Sequence, residues 1–430
     1  MSNEKNLTVL QLNDVHGYLD EHFEIFYEAD GVNFKKVGGY ARIANYLNQA
    51  REETNNKVMV LDGGDTFHGT YPVVQTKGKL SIPILNRLGI DGMTGHWDFA
   101  YGPDHLDELA SKLNYPMLAI NCYKKDTEEL VFQPYRIKEV NGLKIGIIGI
   151  AAMIVDKTMP EQFSKGVSLT SGKEELPKYI REVKENHDVD LVVIMSHLGY
   201  PQDMKIAEET DGIDVYLSAH THNRVYEPAE VNGALLIKSG SHGSFVGRLD
   251  LTVEDKKITD YTHALVLMDE AVSEEVEMKE LVQEKLEPYQ EELSEVIGET
   301  KTDLYRNEVL ESTMDNFLLQ SLLEHTGAEA TFSRDPFNQI GGYVKRMLGL
   351  KVYAKLENPK GYRLQEVFIG DEPLEKERVY NATFVTVQGV PAKYGKDRKQ
   401  LDTHAIDALK QYVKKHETVE APLRGTITLV

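Results

Sequence analysis

Five short motifs constrain this chain more than any other feature. In order they are Asp14-Val15-His16, Gly63-Gly64-Asp65, Gly95-His96-Trp97, Ser196-His197-Leu198-Gly199 and Ala219-His220-Thr221-His222. Each follows an apolar run that reads as a buried strand, such as Leu7–Leu12, Lys57–Leu61, Leu191–Met195 and Val215–Ser218. Side chains two apart on an extended segment share a face, so Asp14 with His16, and His220 with His222, each point one way. Glycines at 63 and 64 let the backbone turn sharply ahead of Asp65, whose carboxylate can bridge two cations. A single histidine after a strand is usually a core or surface residue. Five such motifs in series predict one shared site holding two divalent ions. Its donors are Asp14, His16, Asp65, His96, His197, His220 and His222, all oxygen or nitrogen. Such a set suits Mn²⁺, or alternatively Zn²⁺, better than a soft metal. Two such ions would share a hydroxide able to attack phosphorus or sulfur.

The pattern between the motifs predicts an α/β fold: a layered β-sandwich with flanking helices, then a smaller α+β domain. Strands alternate with helices at Tyr40–Arg51, Ser81–Leu88, Asp104–Leu113 and Glu174–His187. Pro116–Ile120 reads as a strand, and the stretch from 13 to Gly39 as a polar loop. Asn141-Gly142 between two apolar runs predicts a tight hairpin joining Tyr135–Val140 to Leu143–Ile150. In sheets of this kind, sites lie beyond the carboxyl ends of strands, where all five motifs fall. Residues 1–272 read as the metal domain, 273–298 as one exposed linking helix, and 299–430 as a C-terminal domain. Within that last domain, Ser312–Thr326 and Ala405–Lys415 have helical spacing.

At 430 residues the chain exceeds one ordinary core. Its net charge of −21 repels polyanions, so nucleic-acid polymers and anionic membranes are poor partners. A small anionic substrate is still compatible, because bound cations reverse the local field. Cys122 is the single cysteine, and the N-terminal residues show no apolar leader. Both features predict a cytoplasmic location.

The assembled motifs resemble those of the calcineurin-like metallophosphoesterases, and among them the bacterial 5′-nucleotidase family. The resemblance spans nearly the whole chain. It implies that Asp14, His16, Asp65 and His222 hold one ion, and Asp65, His96, His197 and His220 the other. Here His96 replaces the family's asparagine. Trp97 replaces a histidine that assists the leaving group, and Ala100 replaces the aspartate that orients it. Asp65, His96 and Trp97 are thus the catalytic positions, with Trp97 shaping the pocket. An indole carries one N–H and no usable acid, which leaves His68, Asp98 and His242 as unranked proton donors. Gly95-His-Trp-Asp-Phe-Ala-Tyr-Gly102 is similar to the SoxB branch of that superfamily, whose members are dimanganese sulfohydrolases. Near 334–336 the chain resembles the family with a stretch removed. The resemblance implies hydrolysis of a phosphate monoester such as a nucleotide. The alternatives are a SoxB-like sulfohydrolase, or a metal- and anion-binding protein impaired in turnover.

Overall fold

A computed structural model of the protein describes residues 4–29, 31–306, 310–334, 345–359, 361–385 and 395–430. The apparent shortening near 334–336, with Phe337 and Tyr343, lies largely outside them. The chain divides into two units, Met1–Glu291 and Glu292–Val430.

The first unit is built on two sheets. One runs in the order Lys257–Leu267, Phe245–Glu254, Lys5–Leu12, Val58–Asp62, Gly92–Met93. The other runs Ala229–Val231, Ala234–Ile237, Val215–Ser218, Leu191–Ser196, Leu143–Ile150, Tyr135–Val140. In the first sheet Lys5–Leu12, Val58–Asp62 and Gly92–Met93 are parallel, with Thr8 opposite Val58, while Phe245–Glu254 runs antiparallel to Lys5–Leu12. The inner strands of the second sheet are parallel, with Val193 opposite Val215. Parallel neighbours need crossover connections, which explains the alternation of strand and helix along the sequence.

Alternation of side chains sorts the strands into layers. Leu7, Val9, Met59 and Leu61 face Ile145, Ile147, Val193, Met195 and Leu217 in one buried cluster between the sheets. Leu10, Leu12 and Val60 point the other way, onto Ile43 and Leu47 of the helix Tyr40–Glu53. Ile148, Ile150, Val192 and Ile194 point outward from the second sheet, onto Tyr179, Ile180 and Val183 of the helix Leu176–His187. The result is a sandwich with helices on both outer faces. The strands Tyr135–Val140 and Leu143–Ile150 pair as expected, and the turn has positive φ at both Asn141 (50°) and Gly142 (68°), the geometry that favours this dipeptide.

Four local expectations differ. Residues 13–39 are not a polar loop throughout: His22–Glu28 and Gly31–Val37 form a hairpin. Its outer face is exposed at Phe23 and Tyr27, so it lacks the polar-out alternation that marks a strand. Pro116–Ile120 makes only isolated bridges, at Met117 and Leu118, consistent with a proline unable to donate to a ladder. Ser81–Leu88 holds a shorter helix, Ile82–Leu85, after a 3₁₀ turn. The segment 273–298 is a helix Val276–Leu286, a 3₁₀ turn and a short helix Gln290–Leu293, capped by Glu275, whose carboxylate accepts from the N–H groups of Glu277 and Met278. Met278 and Val282 are buried in the first unit's core, so most of this helix is part of that unit and not a solvated connector.

The second unit is α+β. Helices Thr313–Thr326 and Ala405–His416 pack through Phe317, Leu318, Leu322, Leu409 and Val413. A sheet of Lys345–Leu348, Ala330–Arg334 and Ala382–Phe384, a second of four short strands and a two-stranded pair of Glu299–Thr300 with Thr418–Val419 lie with them. Buried Asp315 gathers Arg306, Arg346, Ser312 and Ser333 around one carboxylate.

The core between the sheets should dominate stability of the first unit. Leu61→Ala is expected to cost about 2–5 kcal/mol, measured by denaturant unfolding. A loss below about 1 kcal/mol would contradict this packing.

Candidate metal centre

All five motifs emerge at carboxyl ends of strands. Asp14 and His16 follow Lys5–Leu12, Asp65 follows Val58–Asp62, and His96 follows Gly92–Met93 in the first sheet. His197 follows Leu191–Ser196, and His220 and His222 follow Val215–Ser218 in the second. The two sheets thus bring the candidate ligands to one region from opposite sides.

The seven side chains converge in two groups. Asp65, His96, His197 and His220 can direct one atom each to a common point, and so can Asp14, His16 and His222. The groups meet at Asp65. Its Oδ2 lies 3.2 Å from His197 Nε2, 3.4 Å from His96 Nδ1 and 3.4 Å from His16 Nε2. Asp14 Oδ1 lies 3.4 Å from His222 Nε2 and 3.6 Å from His197 Nε2. His96 Nε2 is buried with no hydrogen-bond partner among the described residues, an arrangement that costs free energy unless something satisfies it.

The surroundings orient these donors. His16 Nδ1 faces the carbonyl of His68 at 3.1 Å, and His197 Nδ1 faces that of Gly63 at 2.6 Å. A carbonyl only accepts, so each Nδ1 carries the hydrogen and each Nε2 is left as a ligand. Asp14 accepts from the backbone N–H of His220 at 2.9 Å and from Asn13 Nδ2 at 2.7 Å. The backbone itself is bent to this purpose. Asp14, His16, Asp65, His220 and His222 all have positive φ, between 50° and 77°, where Asp and His are among the few tolerated side chains.

Asp98 holds the central loop. Its Oδ1 accepts from Thr66 N and Phe67 N, both at 2.9 Å, and its Oδ2 from Asp65 N at 2.9 Å and His96 N at 3.1 Å. With all this committed to backbone, Asp98 is not available as a proton donor. Trp97 plays a positioning part through its main chain, whose N–H donates to Asp65 Oδ1 at 2.6 Å. Its indole stacks on His68, with centroids 4.8 Å apart and planes at 22°, and meets Phe163 edge-on. His242 Nδ1 lies 3.1 Å from Glu24 Oε2.

The electrostatics without ions reflect crowding. Burial opposes a charge on His197, yet the carboxylates of Asp65 and Asp14 outweigh it and lift its pKa to about 9. Burial holds His220 and His222 below the ordinary histidine value. Burial also raises Asp62 to about 7, against hydrogen bonds from Gly64 N and Thr66 Oγ1. Lys238 is wholly buried 4.0 Å from Asp14 Oδ2, and burial lowers it to about 8 despite that carboxylate. Lys238 and Asp62 carry no motif that marks them in the sequence. Only their burial beside the centre reveals them.

The fold and the two donor groups define a calcineurin-like phosphoesterase. The pattern of that family matches residues 7–224, and the chain belongs to it. The chain is 28% identical to the uncharacterized metallophosphoesterase YunD of Bacillus subtilis, over 75% of this chain and 66% of YunD. It is 25% identical to the 5′-nucleotidase of Vibrio vulnificus, over 68% of this chain and 59% of that protein. The matches therefore span less than two thirds of these relatives' own lengths. Among solved structures, the sulfate thiohydrolase SoxB of Thermus thermophilus has a TM-score of 0.90 at 20% identity, covering 99% of this chain and 96% of that one. A 5′-nucleotidase precursor, also from Thermus thermophilus, has 0.86 at 22% identity, with 99% of both covered. These two likenesses establish the shared fold.

Asp98→Ala should release the loop carrying Asp65 without altering any of the seven donor residues themselves. Metal affinity is expected to fall about 10–100-fold, read as metal retained after dialysis against defined free Mn²⁺. Retention equal to the unaltered protein would refute the positioning role.

Proposed function

We propose that the chain is a dimetal-dependent hydrolase acting on a phosphate monoester such as a nucleotide. The observation that carries this reading is the Asp65 carboxylate, shared between two groups of imidazoles. Asp14, His16, His222 and Asp65 would hold one cation, and Asp65, His96, His197 and His220 the other. The donor set fits: two carboxylates, with Asp65 close to imidazoles of both groups, and five imidazoles, of which His16 and His197 have their far nitrogens tied to carbonyls. A bound pair of divalent cations supplies an activated water and a clamp for an anionic ester. The protein's own contribution is orientation. Asp98 fixes the loop of Asp65, and the Trp97 main chain holds Asp65 Oδ1. Mn²⁺ is the ion we favour, with Zn²⁺ the alternative, because the donors are oxygen and nitrogen with no thiolate and a cytosolic setting suits Mn²⁺. The net charge of −21 favours small substrates over polyanionic polymers, and the single buried cysteine suits the cytosol. We read residues 299–430 as the nucleotidase-type C-terminal domain. No aromatic base clamp is assigned, and Tyr362 is exposed.

A second reading is SoxB-like cleavage of a thiosulfonate or related sulfur ester. It is favoured by the Gly95–Gly102 segment, where the indole of Trp97 fills the place of an acid and Ala100 cannot orient one. A leaving group of low pKa needs little protonation, so this chemistry tolerates the indole.

Two measurements decide. Chelation should abolish hydrolysis of nucleoside monophosphates and p-nitrophenyl phosphate, and Mn²⁺ should restore it. Restored activity on a thiosulfonate alone would favour the second reading, and none on any ester would overturn both. Trp97→His should raise turnover of nucleotides, whose leaving group is a poor one, by about 10-fold or more. Turnover of p-nitrophenyl phosphate should change far less. An equal change on both substrates would show that the indole's effect is not one of proton supply.

A further inference from the structure

Beside the seven donors lies a second convergence that neither the motifs nor the proposed reaction uses. His22 and Glu24 come from the strand His22–Glu28, and His242 and Ser244 from the loop ahead of Phe245–Glu254. Glu24 Oε2 is 3.1 Å from His242 Nδ1 and 3.7 Å from His22 Nε2. Ser244 Oγ is 3.1 Å from Glu24 Oε2 and 3.3 Å from His22 Nε2. Around a tetrahedral zinc ion, with bonds of about 2.0–2.1 Å, neighbouring donors stand about 3.3 Å apart. The measured edges bracket that spacing.

We propose that His22, Glu24, His242 and Ser244 form a third divalent-cation site, of zinc type, adjoining the pair. The side chains are largely buried, at 12% exposure for His22, 8% for Glu24 and 22% for His242. The atoms of His22, Glu24 and His242, like those of the two other groups, can converge on a single point. The site shares no residue with the central pair. It is nonetheless tied to it, because the backbone N–H of His242 donates to the Asp14 carbonyl at 2.7 Å. The His242 ring lies 5.6 Å from that of His222 and 6.1 Å from that of His16. Tyr18 packs against both imidazoles of the new site, 4.4 Å from each.

Arg224 sets the strength of this site. Its guanidinium lies 3.2 Å from Glu24 Oε1, donates to the Ile25 carbonyl and sits over the rings of Phe26 and Phe245. It occupies the far carboxylate oxygen and turns Oε2 toward the imidazoles. Its charge also opposes a nearby cation, as do two ions in the main centre. The third ion is therefore the weakest held of three. The ion replaces the hydrogens now shared between Glu24, His242 and Ser244. It would pin the hairpin strand to the 242–244 loop at the edge of the catalytic centre.

The test is stoichiometry and does not depend on the reaction proposed above. Full-length protein is equilibrated with graded free Zn²⁺, and bound metal is measured by mass spectrometry. Three ions per chain are expected, one released about 10-fold or more ahead of the others. Glu24→Gln and His22→Ala should each keep two. Ser244→Ala, a smaller change, should weaken only the third. An Asp14→Asn, His197→Ala double variant should lose ions from the central pair and keep the third. Saturation at two ions in the unaltered protein would overturn the proposal. So would three ions in Glu24→Gln and His22→Ala.

Discussion

One carboxylate outside the seven donors underlies the centre. Asp98 accepts four backbone N–H groups, from Asp65, Thr66, Phe67 and His96. Two loops leaving neighbouring strands are thereby fastened to each other through a charged acceptor. Hydrogen bonds to a buried charge are stronger than neutral ones, and leaving such donors unpaired is costly. The placement of Asp65 between two sets of imidazoles follows from that fastening. Asp203 does a related job beneath the second sheet, where it accepts from Ser196, Tyr216 and Ser218. The strand ends that present His197 and His220 are joined there in the same manner.

The donors also share a backbone cost. Asp14, His16, Asp65, His220 and His222 sit in the left-handed region, which disfavours side chains with a Cβ. Such conformations persist only where surrounding structure outweighs them. Here the surroundings are two sheets packed face to face through Val9, Leu61, Ile147, Val193 and Leu217. Stability in the sandwich and strain at its rim are two parts of one arrangement. The rigid layers let short loops project donors at fixed separations.

Trp97 separates structure from chemistry at a single residue. Its main-chain N–H holds Asp65, a task any residue but proline could do. Its side chain stacks with His68 and packs against Phe163 and the apolar cluster that also holds Phe67 and Phe99. The arrangement of the seven side chains therefore does not depend on which side chain stands at position 97.

The layers and the donors were legible in the sequence for a physical reason. Buried parallel strands read as apolar runs, Asn141-Gly142 names its own turn, and imidazoles repeated after strand ends announce a common purpose. The hairpin of residues 22–37 was not legible, because Phe23 and Tyr27 stand exposed where alternation calls for polar groups. Nor was the packing of Met278 and Val282, since a charged helix with few apolar residues looks solvated until a core is found for them. Asp98 carried no mark distinguishing a loop clamp from a proton donor. Glu24, Lys238 and the His22–His242 convergence depend on contacts between segments more than 200 residues apart. Local composition determines which segments become strands and which side chains can ligate. Only the closing of two sheets on each other decides which of those side chains meet.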